Sequence, residues 1–134
     1  MPHDFDSLRD RLRQFAAERG WGRSHSPRNL ILALTGEVGE LSAELQWVDD
    51  CRVRDHLADP IAWARIKDEV ADVLIYLVQF ADACDIDLLA EAYAKIVRNE
   101  TRYPLKPLCT GESTNQPSWR RDARSWQPQE GVVA

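Results

Sequence analysis

Residues 68–80 read DEVADVLIYLVQF, and this stretch decides the fold. Val70, Val73, Leu74, Leu77 and Phe80 recur at steps of three and four, the stride of a helix, and cover more than one of its faces. A helix with so broad an apolar surface is expected at the centre of a bundle. Followed outward, it begins at Asp59-Pro60, a capping residue and a proline suited to the first turn, and runs to about Cys84. Two carboxylates, Glu69 and Asp72, interrupt the apolar run three residues apart, so they share a face, and Tyr76 follows them one turn later.

The same device occurs upstream. Residues 36–41 read GEVGEL, with Glu37 and Glu40 three apart inside an apolar segment and Trp47 further along that side. Pro27 suits the first turn of a helix running to about Trp47, with Leu30, Leu34, Val38, Leu41 and Leu45 on one stripe. A first helix fits Phe5–Glu18, capped by Asp4 or Asp6 and ended by Gly20 and Gly22. Between Val48 and Pro60 the sequence is polar and acidic and reads as a connecting loop with room for one short turn of helix. Asp87 caps a last helix from Leu88 to about Thr101, closed by Pro104. No segment alternates with period two. The expectation is an all-α, four-helix-bundle-like fold over residues 1–104, followed by a tail over 105–134, flexible or docked on a partner, with Trp119 and Trp126 as its large apolar anchors.

Bulk properties narrow the function. At 134 residues the chain suits one domain, and its net charge of −5 argues against a general nucleic-acid binder, which needs a basic face. Cys51, Cys84 and Cys109 are odd in number and lack C-x-x-C spacing, so they suit reduced thiols in a cytoplasm better than disulfides or zinc. The apolar run at residues 70–83 carries Asp72, Gln79 and Asp82 and is too short to span a bilayer. A charged beginning, MPHDFDSLRD, lacks the apolar core of a signal peptide. A cytoplasmic protein with no membrane partner is expected.

Carboxylates placed on helical interfaces need cations. Two of them about 4 Å apart repel by roughly 4 kcal/mol at an effective dielectric of 20. If the two acidic helices pack antiparallel, Glu37, Glu40, Glu69 and Asp72 can converge on one or two octahedral divalent ions that keep positions open for water and phosphate. E-x-x-E alone is common on solvated helices, but two pairs, each followed by an aromatic on its own face, form a stronger pattern. Gly36 and Gly39 add to it, because a helical glycine costs about 1 kcal/mol and suits close approach of a helix or ligand.

Three segments, residues 18–47, residues 68–88 and the closing KIVRNETRYP at 95–104, together resemble the MazG-like all-α NTP pyrophosphatases, most closely the dCTP pyrophosphatase branch. The resemblance spans about residues 5–104 and implies cleavage of a nucleoside triphosphate between its α and β phosphates, with Mg²⁺, in a homodimer or homotetramer. It implies that Glu37, Glu40, Glu69 and Asp72 are metal ligands, with Glu37 or Glu40 the better candidates for accepting a proton from the attacking water. It further implies that Trp21, Trp47 and Tyr76 lie near base and sugar, that His25, Arg28 and Asn29 border the pocket, and that Lys95, Asn99 and Arg102 meet the triphosphate. Leu12 stands where some relatives carry a polar residue near the base. The expected substrate is dCTP or a modified dCTP. The alternatives are another non-cytosine or modified nucleotide, or a non-catalytic helical module that binds a nucleotide or a protein.

Overall fold

The structure, a computed structural model, describes residues 4–105. Five α-helices follow one another: α1 (Phe5–Glu18), α2 (Pro27–Ala43), α3 (Val53–Ala58), α4 (Pro60–Ala83) and α5 (Leu88–Arg102), with 3-10 turns at Trp21–Arg23 and Asp50–Arg52. No strand occurs among the described residues. Nor is any described helix long and apolar enough to cross a membrane. The tail expected beyond Pro104 lies, from residue 106 on, outside the described residues.

Side-chain caps start four of the helices. Asp4, Ser26, Asp59 and Asp87 each accept a hydrogen bond from a backbone N–H three residues on, satisfying one of the donors that a helix start leaves free. The bond from Ser7 N, 2.8 Å long, holds the Asp4 carboxyl below its ordinary range. Pro27 and Pro60 take the first helical turns as expected. Gly20 turns the chain out of α1 at a φ of 65°, where a side chain would be strained.

The longest helix, α4, is the central one. It packs chiefly along α2, with α1 and α3 also against it. The fully buried residues are Leu30 of α2 and Ala62, Ile66, Val78 and Ala81 of α4. The two helices run antiparallel: Leu30 and Val78 line one cavity at one end, and Arg65 Nε reaches Glu44 at 3.0 Å near the other. Arg13 of α1 grips Asp82 of α4 through two parallel hydrogen bonds of 2.9 and 2.6 Å, and this pairing raises the guanidinium pKa.

Three expectations are corrected. The second helix stops at Ala43, four residues before Trp47, because Leu45 and Val48 donate to carbonyls three residues back and wind the chain into turns. The acidic connector contains a real helix, α3, whose half-buried Val53, His56 and Leu57 face the core at helical spacing. Finally, a Cβ built on Gly36 or Gly39 meets nothing within 4 Å, so tight packing inside this chain does not explain these glycines.

Much apolar surface is left uncovered. Leu32 and Val38 of α2 and Val70, Leu74 and Leu77 of α4 are exposed. The last helix, α5, is not packed closely along another helix, and its stripe of Leu89, Tyr93, Ile96 and Val97 stands open, Tyr93 at 70% exposure.

Candidate active site

The antiparallel register of α2 and α4 brings the acidic pairs together midway between the Leu30–Val78 end and the Arg65–Glu44 end. Glu37, Glu40 and Glu69 each offer an oxygen within 4.8 Å of the others. Asp72 stands outside this trio, a departure from the expected convergence of four, although its charge still reaches Glu37 and Glu69.

The electrostatics fit a cation site. Burial first, then the charges of Asp72 and Glu40, raises the Glu37 carboxyl above its ordinary value. Burial first, then Glu40, Glu37, Asp72 and Glu44, does the same for Glu69. Each of these contributions disfavours the ionised form, and no cationic side chain offsets them. Arg65 is committed to Glu44. Three carboxylate oxygens from two rigid helices, open on one side, match the donor chemistry of a hard divalent ion that retains water.

A pyrophosphatase from Archaeoglobus fulgidus, known from its crystal structure, shares this architecture: 33% sequence identity, a TM-score of 0.72, and coverage of 78% of this chain and 96% of that one. The chain belongs to the MazG-like all-α NTP pyrophosphatase family. This MazG-like chain is also 46% identical to dCTP pyrophosphatase 1 of Rattus norvegicus over 92 residues, which make up 69% of this chain and 54% of that protein. The human dCTP pyrophosphatase 1 is 46% identical over 91 residues, 68% of this chain and 54% of that protein. The chain thus spans about half the length of the curated relatives it matches. No family model matches it.

The other residues marked by the MazG-like resemblance are placed unequally. Trp21 lies in the 3-10 turn after α1, edge-on to Phe15 with ring centroids 5.6 Å apart and tilted against His25 at 5.8 Å, and it remains 45% exposed. Asn29 donates to the carbonyl of Ser24 at 3.0 Å and closes the loop, which is a structural task. Arg28 is exposed at the start of α2. Tyr76 is half-buried on the carboxylate face of α4. Trp47, past the end of α2, is 88% exposed, which rules out core packing within this chain.

Lys95, Asn99 and Arg102 depart from expectation. They sit on α5, which does not pack closely along α2 or α4, so one chain does not bring them to the carboxylates. Arg102 lies over the Tyr103 ring at 5.5 Å, and the Asn99 carbonyl accepts the Tyr103 N–H at 2.8 Å, ending the helix. Sequence reasoning missed Arg65, whose partner lies 21 residues away on another helix, and the Arg13–Asp82 fork. A charge at a helical interface was the available signal for both, but spacing cannot name a partner on another helix.

Proposed function

We propose that the protein is a divalent-cation-dependent nucleoside triphosphate pyrophosphohydrolase that takes dCTP or a related cytosine deoxynucleotide and releases the monophosphate and pyrophosphate. The observation that carries this reading is the convergence of Glu37, Glu40 and Glu69 with their charge uncompensated. Support for the substrate comes from the dCTP pyrophosphatases it resembles at 46% identity.

In this reading Glu37, Glu40 and Glu69 would hold the cation, Mg²⁺ by preference, with Asp72 beside them. When bound, such an ion acidifies water and neutralises phosphate oxygens. The rest falls to the protein. Water attacks the α-phosphorus in line, the bond from that phosphorus to the bridging oxygen breaks, and pyrophosphate leaves with the electron pair. We place the acceptor of the water's proton on α2, at Glu37 or Glu40. Positioning dominates such a reaction, and the rigid α2–α4 pair supplies it. Trp21, His25 and Tyr76 are assigned to base and sugar, and Trp47, beyond the far end of α2, would join them only across a second copy.

A second copy of the chain belongs to this reading. The open stripe of α5 and the uncovered apolar residues of α2 and α4 suit burial in a homodimer or homotetramer. Such a partner would bring Lys95, Asn99 and Arg102, or cover Trp47, where one chain leaves them apart. The deciding experiment is product analysis on purified protein with dCTP. Pyrophosphate and dCMP in equal amounts with Mg²⁺, and neither with a chelator, are expected; orthophosphate release or no reaction would overturn the reading.

A further inference from the structure

We propose that Gln79 holds the hydrogen-bonding edge of a pyrimidine base, making it a base-binding residue for the reaction above, on which this inference rests. Along α4, Glu69, Asp72, Tyr76 and Gln79 follow at steps of three and four and are all half-buried, so one stripe continues from the carboxylates to Gln79. At 1.5 Å per residue Gln79 lies about 10 Å beyond Asp72. That is of the order of the reach from a nucleotide's phosphates to the far edge of its base.

Gln79 lines a cavity of about 270 Å³ between α1, the start of α2 and the end of α4. Its walls are largely apolar, with Leu12, Ala16, Leu30 and Val78 suited to the faces of a flat ring. Trp21 stands at the same end, against His25, which also lines the cavity. The charged groups there are already engaged: Arg9 pairs with Asp6 and Asp10, and Arg13 with Asp82. The Gln79 carboxamide makes no hydrogen bond to another described residue.

A carboxamide offers a donor and an acceptor side by side. That pair matches the amino group and ring nitrogen of cytosine, and, turned over, the carbonyl and ring N–H of uracil. With apolar walls that cannot discriminate between the two, Gln79 sets how strongly either edge is held.

The test compares kcat/KM for dCTP and dUTP in the full-length protein with Mg²⁺ for the wild type, Gln79→Leu and Gln79→Glu. Gln79→Leu removes both hydrogen bonds at similar size and is expected to lower kcat/KM by about tenfold for both nucleotides, chiefly through KM. Gln79→Glu keeps the size and the acceptor but loses the donor that either base edge needs, so it is expected to lower kcat/KM for both nucleotides by about tenfold at neutral pH, a loss that a packing role would not produce. A kcat/KM within twofold of wild type for both nucleotides in both variants overturns the role of Gln79 and leaves the pyrophosphohydrolase reading standing. A wild type that releases no pyrophosphate from either nucleotide overturns that reading and this inference together.

Discussion

Replacing Glu37 by Gln should stabilise the metal-free protein while removing its response to a divalent cation. The side chain keeps its shape and loses its charge. Glu37 has an oxygen within 4.8 Å of Glu40, and at that distance two unit charges repel by about 0.9 kcal/mol even at water's dielectric, the proper choice for a groove open to solvent. For a chain of 134 residues that relief corresponds to a rise in Tm of roughly 3–5 °C. The sign with pH follows from the raised Glu37 pKa. Between its ordinary and its raised value the folded state binds more protons than the unfolded one, so wild-type stability falls as pH rises through that window. The advantage of Glu37→Gln is therefore absent below the ordinary value of 4.5 and complete by neutrality. With Mg²⁺ the order reverses, because an ion at a hundred times its Kd adds about 2.7 kcal/mol to a protein that keeps the site. Thermal denaturation at matched protein concentration, in chelator and in Mg²⁺, at pH 4 and pH 7, checks each step. A Glu37→Gln variant less stable than wild type in chelator at pH 7, or equally stabilised by Mg²⁺, would refute the reasoning.

Asp72 stands outside the closest trio of carboxylates, so Asp72→Asn should reduce pyrophosphate release by about 10- to 100-fold. Glu40→Gln should cost more, with circular dichroism unchanged in both; full activity in either removes that residue from the site. Trp47→Ala should raise KM for dCTP several-fold while shifting stability by less than about 0.5 kcal/mol, since the side chain is 88% exposed. An unchanged KM would separate Trp47 from the substrate. Ile96→Asp with Val97→Asp on the open face of α5 should convert an oligomer to monomers in sedimentation velocity, and persistence of the assembly would place the interface elsewhere.

Element boundaries were legible where local chemistry sets them and illegible where tertiary packing does. The predicted start of α1 at Phe5, and the starts of α2, α4 and α5, agree with the structure because Asp4, Ser26, Asp59 and Asp87 cap their own helices within three residues. The short α3 was legible only as room for one short turn, because its acidic surroundings hide a stripe of only Val53, His56 and Leu57, and one and a half turns of helix persist only when packed against α4. The early end of α2 was not legible: Glu44, Leu45 and Gln46 are good helix formers, and their composition does not encode the turns in which Leu45 and Val48 donate to carbonyls three residues back.

The acidic site divides along the same line. A spacing of three predicts that two carboxylates share a face, and Glu37 and Glu40 do meet Glu69 in the structure. It carries no information on the register between helices, which is why the four-way convergence narrowed to three. Register is fixed by Leu30 against the Val78 end and by Glu44 with Arg65 at the other, and those two anchors leave Glu69 opposite the α2 pair with Asp72 one turn along. That offset is also what allows one helix face to serve two tasks. On the proposed reading, a charge-dense segment at Glu69 gives way, through Asp72 and Tyr76, to an uncharged polar group at Gln79, so that α4 would pass from phosphate to base along a single stripe.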